Sequence, residues 1–171
     1  ALSRSEFALA DYTQWISLSS NAVTPRLQRA RLLLLQDKPA EALQDLDTVL
    51  DTAPLDADAL ELRADVLTKL EHHQLAIADL TRLLQLQPQR AELFRQRAVG
   101  FALLEHSKAA AEDLQRAVRL DPSDHLFVRQ AVTDVIAWSD LAAARNLLTI
   151  ADAVTRSDDE LLLLRASLQY D

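Results

Sequence analysis

The sequence predicts an all-α protein made of stacked pairs of antiparallel helices, and three observations predict it. The segment LQDLDTVLDTAP (43–54) returns as IADLTRLLQLQP (77–88) and AEDLQRAVRLDP (111–122), each copy beginning 34 residues after the last and closing on a proline. An interval of that length lies in the range of stacked repeat architectures. Apolar residues recur along the copies at helical spacing, and a single helix pair cannot hide such stripes, so neighbouring pairs must stack.

The helices are expected at 5–18, 25–36, 39–52, 57–70, 73–86, 91–104, 107–120, 124–138, 140–154 and 158–170. Pro39 suits a first turn, where its missing N–H is no loss. Ser157 before Asp-Asp-Glu reads as an N-cap followed by acidic residues that favour the helix dipole. Three full units run 23–56, 57–90 and 91–124, with Pro54, Pro88 and Pro122 at position 32 of each. Position 8 is then Ala30, Ala64 and Ala98, and position 20 is Ala42, Ala76 and Ala110. Position 24 is leucine in all three (Leu46, Leu80 and Leu114), and position 27 is Val49, Leu83 and Ala117.

The pattern continues outward. ALADY (8–12) repeats the motif of ALQDL and AIADL, so residues 1–22 read as a half-unit that opens on a second helix. Arg165-Ala166 repeats Arg29-Ala30 after four periods, so 158–171 reads as a closing first helix. A degenerate unit, 124–158, fits if shifted by one residue, with Gln130-Ala131 in place of Arg-Ala and AARNL (143–147) in place of the Asp-Leu motif. The N-terminal half-unit predicts truncation or processing there, in keeping with a chain that lacks methionine and starts at Ala1, whereas the C-terminal half-unit predicts a cap.

These residues resemble the tetratricopeptide repeat, a 34-residue helix-turn-helix unit with small residues at positions 8 and 20 and a closing proline. The resemblance covers the three full units, the degenerate unit 124–158 and the two half-units. It implies a right-handed α-solenoid, a single array over 1–171. The departures are Asp37, Glu71 and Glu105 where the family has glycine at position 15, and a large aromatic at position 4 only as Phe94.

Composition narrows the chemistry. With 49% apolar and 26% charged residues the chain can form a core, and its formal charge of −8 opposes nucleic-acid binding. No apolar stretch approaches the ~20 residues of a membrane span. Absence of cysteine removes thiolate and cysteine-ligated metal chemistry, and a single glycine, Gly100, removes glycine-rich phosphate loops. Glu71-His72-His73 lacks the i, i+4 spacing of a helical metal pair and reads as a solvated turn. Trp15 and Tyr12 read as core or cap residues, and the leucine runs 32–35 and 161–164 as helices buried on several sides. No cofactor and no enzymatic activity are expected.

One correlation points to a contact. Position 7 is Arg29, Arg63 and Arg97, and position 23 is Asp45, Asp79 and Asp113, always 16 residues later. In a helix hairpin the two lie at one height and predict an ion pair within the unit, with Gln130 and Asn146 as an amide pair in the fourth. A contact between successive units, Asp11 with Arg29 and onward, is the alternative.

Function is therefore expected in a surface. The family resemblance implies a concave groove lined by positions 2, 5, 9, 12 and 13 of each first helix. Carried onto this sequence, it holds Leu27, Arg31 and Leu34; Asp58, Glu61, Asp65 and Lys69; Glu92, Arg95 and Val99; and His125, Val128, Val132 and Val135. The family's chaperone-tail carboxylate clamp is not expected, since Leu27, Arg31, Leu62, Glu92 and Gln96 occupy its places. A protein-interaction scaffold that takes a peptide or partner helix follows. The alternative is a structural spacer in a larger bacterial assembly, associating end to end through its half-units.

Overall fold

Helix starts set the register of the chain. The computed structural model describes residues 4–19, 22–152 and 158–168. Among them are ten helices: α1 (Arg4–Leu18), α2 (Val23–Leu35), α3 (Pro39–Thr52), α4 (Ala57–Lys69), α5 (His73–Leu86), α6 (Ala91–Leu103), α7 (Ser107–Leu120), α8 (His125–Ala137), α9 (Leu141–Ile150) and α10 (Asp159–Ser167). No strand occurs among the described residues. Pro39 is at the start of α3 as expected, but the cap of α10 is Asp158, and Ser157 lies outside the described residues.

The even-numbered helices start at 23, 57, 91, 125 and 159, an unbroken interval of 34. The one-residue shift expected in the fourth unit is therefore absent. Asp124 caps α8 by accepting from the Phe127 N–H, as Asp56 caps α4 through the Ala59 N–H. Counted from the helix starts, position 7 of the fourth repeat is Ala131 and position 23 is Leu147, both fully buried. The Arg–Asp pair is thus replaced there by an apolar pair. The expected amide pair does not form: Gln130 donates to Asp134, and Asn146 to Gln115.

The chain divides into two compact units, Ala1–Leu86 and Gln87–Asp171. In the first, α1 packs on α2, α2 on α3, α3 on α4 and α4 on α5. In the second, α6 packs on α7, α7 on α8 and α9, α8 on α9, and α9 on α10. Ala42, Ala76 and Ala110 at position 20, and Ala30, Ala64 and Ala98 at position 8, are all buried, which lets paired backbones approach. The second unit is centred on Leu114, Val118, Val128, Val132, Val135, Leu147 and Leu161. Two apolar expectations fail. Trp15 is 51% exposed, and within the leucine runs Leu35, Leu162 and Leu163 face outward while Leu33 and Leu161 enter the core.

The turn after each first helix repeats one geometry without glycine. Asp37, Glu71, Glu105 and Ser139, again 34 residues apart, have φ between 56° and 62°. In each, the next residue donates its N–H to the carbonyl five back, as Lys38 does to Leu33, His72 to Leu67, His106 to Phe101 and Asp140 to Val135. This is a Schellman closure, which satisfies carbonyls left over at the helix end. The family glycine relieves left-handed strain at this position, and here the closing bonds hold the turn without it. Glu105→Gly is expected to raise unfolding free energy by about 0.5 to 1 kcal/mol in urea titration, with Glu105→Ala near neutral.

Candidate functional site

Two sets of ion pairs must be separated from any binding surface, because their charges are committed to the fold. In the first, Arg29 Nε and Nη2 donate to the two carboxylate oxygens of Asp45, both at 2.7 Å. Arg63 donates likewise to Asp79 at 2.7 and 2.8 Å, and Arg97 to Asp113 at 2.7 and 2.8 Å. This is the pairing within the repeat that the 16-residue interval predicts. The three aspartates are no more than 2% exposed. Hydrogen bonding to the partner carboxylate is the main reason that the pKa of Arg29 and of Arg63 is raised. The third fork nitrogen reaches backwards, Arg29 Nη1 to Thr13 at 3.1 Å and Arg63 Nη1 to Asp47 at 2.8 Å, so the same arginine also ties successive hairpins.

The second set was not anticipated from sequence. Arg95 Nη1 donates to Asp124 and Arg129 Nη2 to Asp158, each at 2.8 Å and each over 29 residues. Both aspartates are helix N-caps. Asp124 and Asp158 are held below the usual carboxylate range, first by the N–H of Phe127 and of Leu161, then by the arginines. Arg95 also stacks 3.7 Å over the Phe127 ring. A depressed folded-state pKa contributes stability that is present above the unfolded value and lost as pH falls through the folded one. Asp124→Asn keeps a capping oxygen but no titrating charge. It is expected to flatten the loss of stability as pH falls through and below the ordinary carboxylate range, read from urea midpoints.

Surface hollows recur on the first-helix side. In the first unit Arg31, Asp58, Glu61, Leu62 and Asp65, from α2 and α4, line one of about 270 Å³. Arg31 Nη2 donates to Asp58 across it at 3.0 Å. These are position 9 of one repeat and positions 2, 5, 6 and 9 of the next. In the second unit a hollow of about 480 Å³ is lined by Arg129 and Thr133 of α8 and by Glu160, Leu163, Leu164 and Ser167 of α10. There the positions are 5 and 9, then again 2, 5, 6 and 9.

The predicted groove residues divide accordingly. Arg31, Asp58, Glu61 and Asp65 come together, and Lys69, Glu92, Val99 and His125 are exposed. Leu34 is half-buried, Leu27 is buried, and Arg95 is held by Asp124 and Phe127. Val128, Val132 and Val135 are fully buried members of the core, so they offer no surface to a ligand. The shifted register caused this error, since it assigned core positions 4, 8 and 11 to the groove positions 5, 9 and 12. The unshifted positions 2, 5 and 9 are Leu126, Arg129 and Thr133, and Leu126 is 75% exposed. Asp124, the counterpart of Asp56 two repeats earlier, was the available signal.

Chemically the site is a surface of exposed charges and leucines over a packed scaffold. His72 is exposed at the α4–α5 turn as expected, with His73 half-buried at the start of α5. No group of three or more potential metal ligands occurs among the described residues, and no described helix is long and apolar enough to cross a membrane.

Helix hairpins in strict 34-residue register, closed by small residues at positions 8 and 20, define a helical-repeat protein. The family model for the tetratricopeptide repeat matches residues 65–149, and the chain is a tetratricopeptide repeat protein. No curated protein sequence matches. Among solved structures, the fold is similar to MamA 41-end from Desulfovibrio magneticus RS-1, with a TM-score of 0.77 and 23% identity over 91% of this chain and 88% of that one. It is similar to YrrB, described as a TPR protein with an unusual peptide-binding site, at TM-score 0.63 and 22% identity over 94% and 93%. The first TPR of Spaghetti (RPAP3), bound to the HSP90 peptide SRMEEVD, aligns at TM-score 0.62 and 17% identity over 68% of this chain and 93% of that one.

Proposed function

We propose that the chain is a non-enzymatic protein-interaction scaffold that takes a peptide or a partner helix on its first-helix face. The observation that carries this reading is the recurrence of a hollow at the same repeat positions in both units. The peptide-binding of two proteins of similar fold supports it. The hollows differ in chemistry. That of the first unit sets three carboxylates against Arg31, and Arg31 already bonds Asp58, so a basic segment complements it. That of the second unit presents Leu163 and Leu164 and suits an apolar side chain. Apolar anchors supply most affinity at such surfaces, and charges supply orientation and association rate.

A peptide with a lysine- and arginine-rich segment beside a leucine anchor is the probe. It is expected to bind with micromolar-class affinity that weakens with salt, because exposed charges are screened over about 8 Å at physiological ionic strength. Glu61→Lys combined with Asp65→Lys should slow association several-fold in surface-plasmon traces, with helicity and melting temperature unchanged. Leu163→Ser should speed dissociation. If neither variant alters binding of the probe, the first-helix face is not the working surface.

A further inference from the structure

A second series of hollows recurs on the second-helix side. In the first unit one of about 320 Å³ is lined by Leu43 and Asp47 of α3, Arg63 and Leu67 of α4, and Leu75 and Ala78 of α5, among others. These are positions 21 and 25 of one repeat and 7, 11, 19 and 22 of the next. A hollow of about 250 Å³ one repeat earlier uses the same six positions. In the second unit a hollow of about 260 Å³ between α7 and α9 uses positions 21 and 25, then 19 and 22.

Their chemistry differs at positions 19 and 22. In the first repeat these are Glu41 and Gln44. In the fourth they are Ala143 and Asn146, and Asn146 donates across the hollow to Gln115 at 2.9 Å. In the repeat 57–90 they are Leu75 and Ala78, both exposed, Leu75 at 58%. Leu43 is half-buried beside them and Leu67 is buried. A single surface leucine needs no explanation, but one that walls a concavity with other apolar side chains can cover a large apolar group.

A line of alternating charges runs along this hollow. Asp47 accepts from Arg63 at 2.8 Å, Arg63 forks onto Asp79, and Arg82 Nη1 lies 4.0 Å from Asp79 Oδ1. The inner two members offset each other. The outer two, Asp47 of α3 and Arg82 of α5, have side chains more than half exposed. The rim is therefore negative on its α3 side and positive on its α5 side. The first repeat's hollow has neither charge, since Thr13 and Thr48 stand at those positions.

We propose that this hollow docks an extended segment of a protein partner that carries one large apolar side chain between a basic and an acidic residue. Alternate residues of an extended chain share a face, so the order basic-x-apolar-x-acidic turns all three toward the hollow. The apolar side chain enters beside Leu75, the base meets Asp47 and the acid meets Arg82. A segment basic or acidic on both flanks meets a like charge at one end, and that repulsion selects the mixed one. The site uses α3 and α5, not the hollow that Glu61 and Asp65 line, and stands or falls separately from binding on the first-helix face.

The test uses the whole chain and a terminally blocked peptide, Ser-Lys-Ser-Phe-Ser-Glu-Ser, followed through backbone amide shifts in NMR titrations. Saturable binding is expected with a dissociation constant on the order of 10⁻⁴ M, with shifts concentrated in α3 and α5. The peptide with serine in place of phenylalanine should not bind, and versions with lysine or glutamate on both flanks should bind several-fold more weakly. Leu75→Glu combined with Ala78→Gln installs what the first repeat already carries at both positions, so helicity and melting temperature should hold while affinity falls at least tenfold. Arg82→Thr should abolish the preference for the mixed peptide over the one with two lysines. Glu61→Lys combined with Asp65→Lys should bind the mixed peptide as wild type does. Absence of saturation at millimolar peptide overturns the proposal, as does wild-type affinity in the Leu75→Glu, Ala78→Gln variant or equal binding of the three charge versions. Loss of binding in the Glu61→Lys, Asp65→Lys variant also overturns it, since the peptide would then lie on the first-helix face.

Discussion

Asp79→Ala is expected to lower the unfolding free energy by about 3 kcal/mol, as a fall in urea midpoint at constant slope. Asp79 is 1% exposed and accepts two hydrogen bonds from Arg63. Its removal leaves a guanidinium, whose side chain is only 19% exposed, without its main partner. The penalty is that of a charge stranded away from water, and it exceeds the value of the pair itself. For that reason the double variant Arg63→Ala with Asp79→Leu should regain most of the loss. It installs at positions 7 and 23 what the fourth repeat already carries as Ala131 and Leu147, both fully buried. A buried ion pair and a well-packed apolar pair of suitable volume are often close in net stability. If the double variant is as unstable as Asp79→Ala, the hairpin requires the pair for more than charge compensation, and the bond from Arg63 to Asp47 is the first place to look.

The repeat was legible in sequence wherever a residue type has a single structural use. Alanine at 8 and 20, proline at 32 and the Arg–Asp interval identify packed contacts and turns, and all appear where expected. Exposure was less legible, because leucine serves cores and surfaces alike. Leu33 and Leu35 differ only in which side of α2 they occupy, and one is buried while the other is 84% exposed. The error in the fourth repeat has a specific cause. Gln130 and Asn146 look like amide versions of Arg and Asp, and aligning on them moved the frame by one residue. Helix caps and turns are set by backbone hydrogen bonds and leave less room for such mimicry. Asp124, Ser139 and Arg165 all keep the unshifted frame. The cap pairs Arg95–Asp124 and Arg129–Asp158 were missed because they recur only within the second unit, so no long series drew attention to them.

The register can be tested at two adjacent residues. In the shifted frame Val132 is a groove residue, and Val132→Ser would leave the fold intact and speed ligand release. In the observed frame it is position 8, the small-residue contact of α8, and is fully buried within the second unit's core. Serine there removes two methyl groups' worth of apolar contact and adds a hydroxyl that must find a partner or remain unsatisfied. Val132→Ser is therefore expected to destabilise by about 2 to 3 kcal/mol, combining the cavity and the buried polar group. Thr133, one residue on, is exposed, and its hydroxyl donates back to the Arg129 carbonyl at 2.9 Å. Thr133→Ala should change stability by no more than about 0.5 kcal/mol, the usual range for a surface substitution. It should instead alter binding at the hollow that Thr133 lines with Arg129 and Leu163. Equal tolerance of both changes would return Val132 to the surface and restore the shifted frame, whereas a large loss at 132 beside a small one at 133 fixes Val132 in the core and Thr133 on the surface of α8.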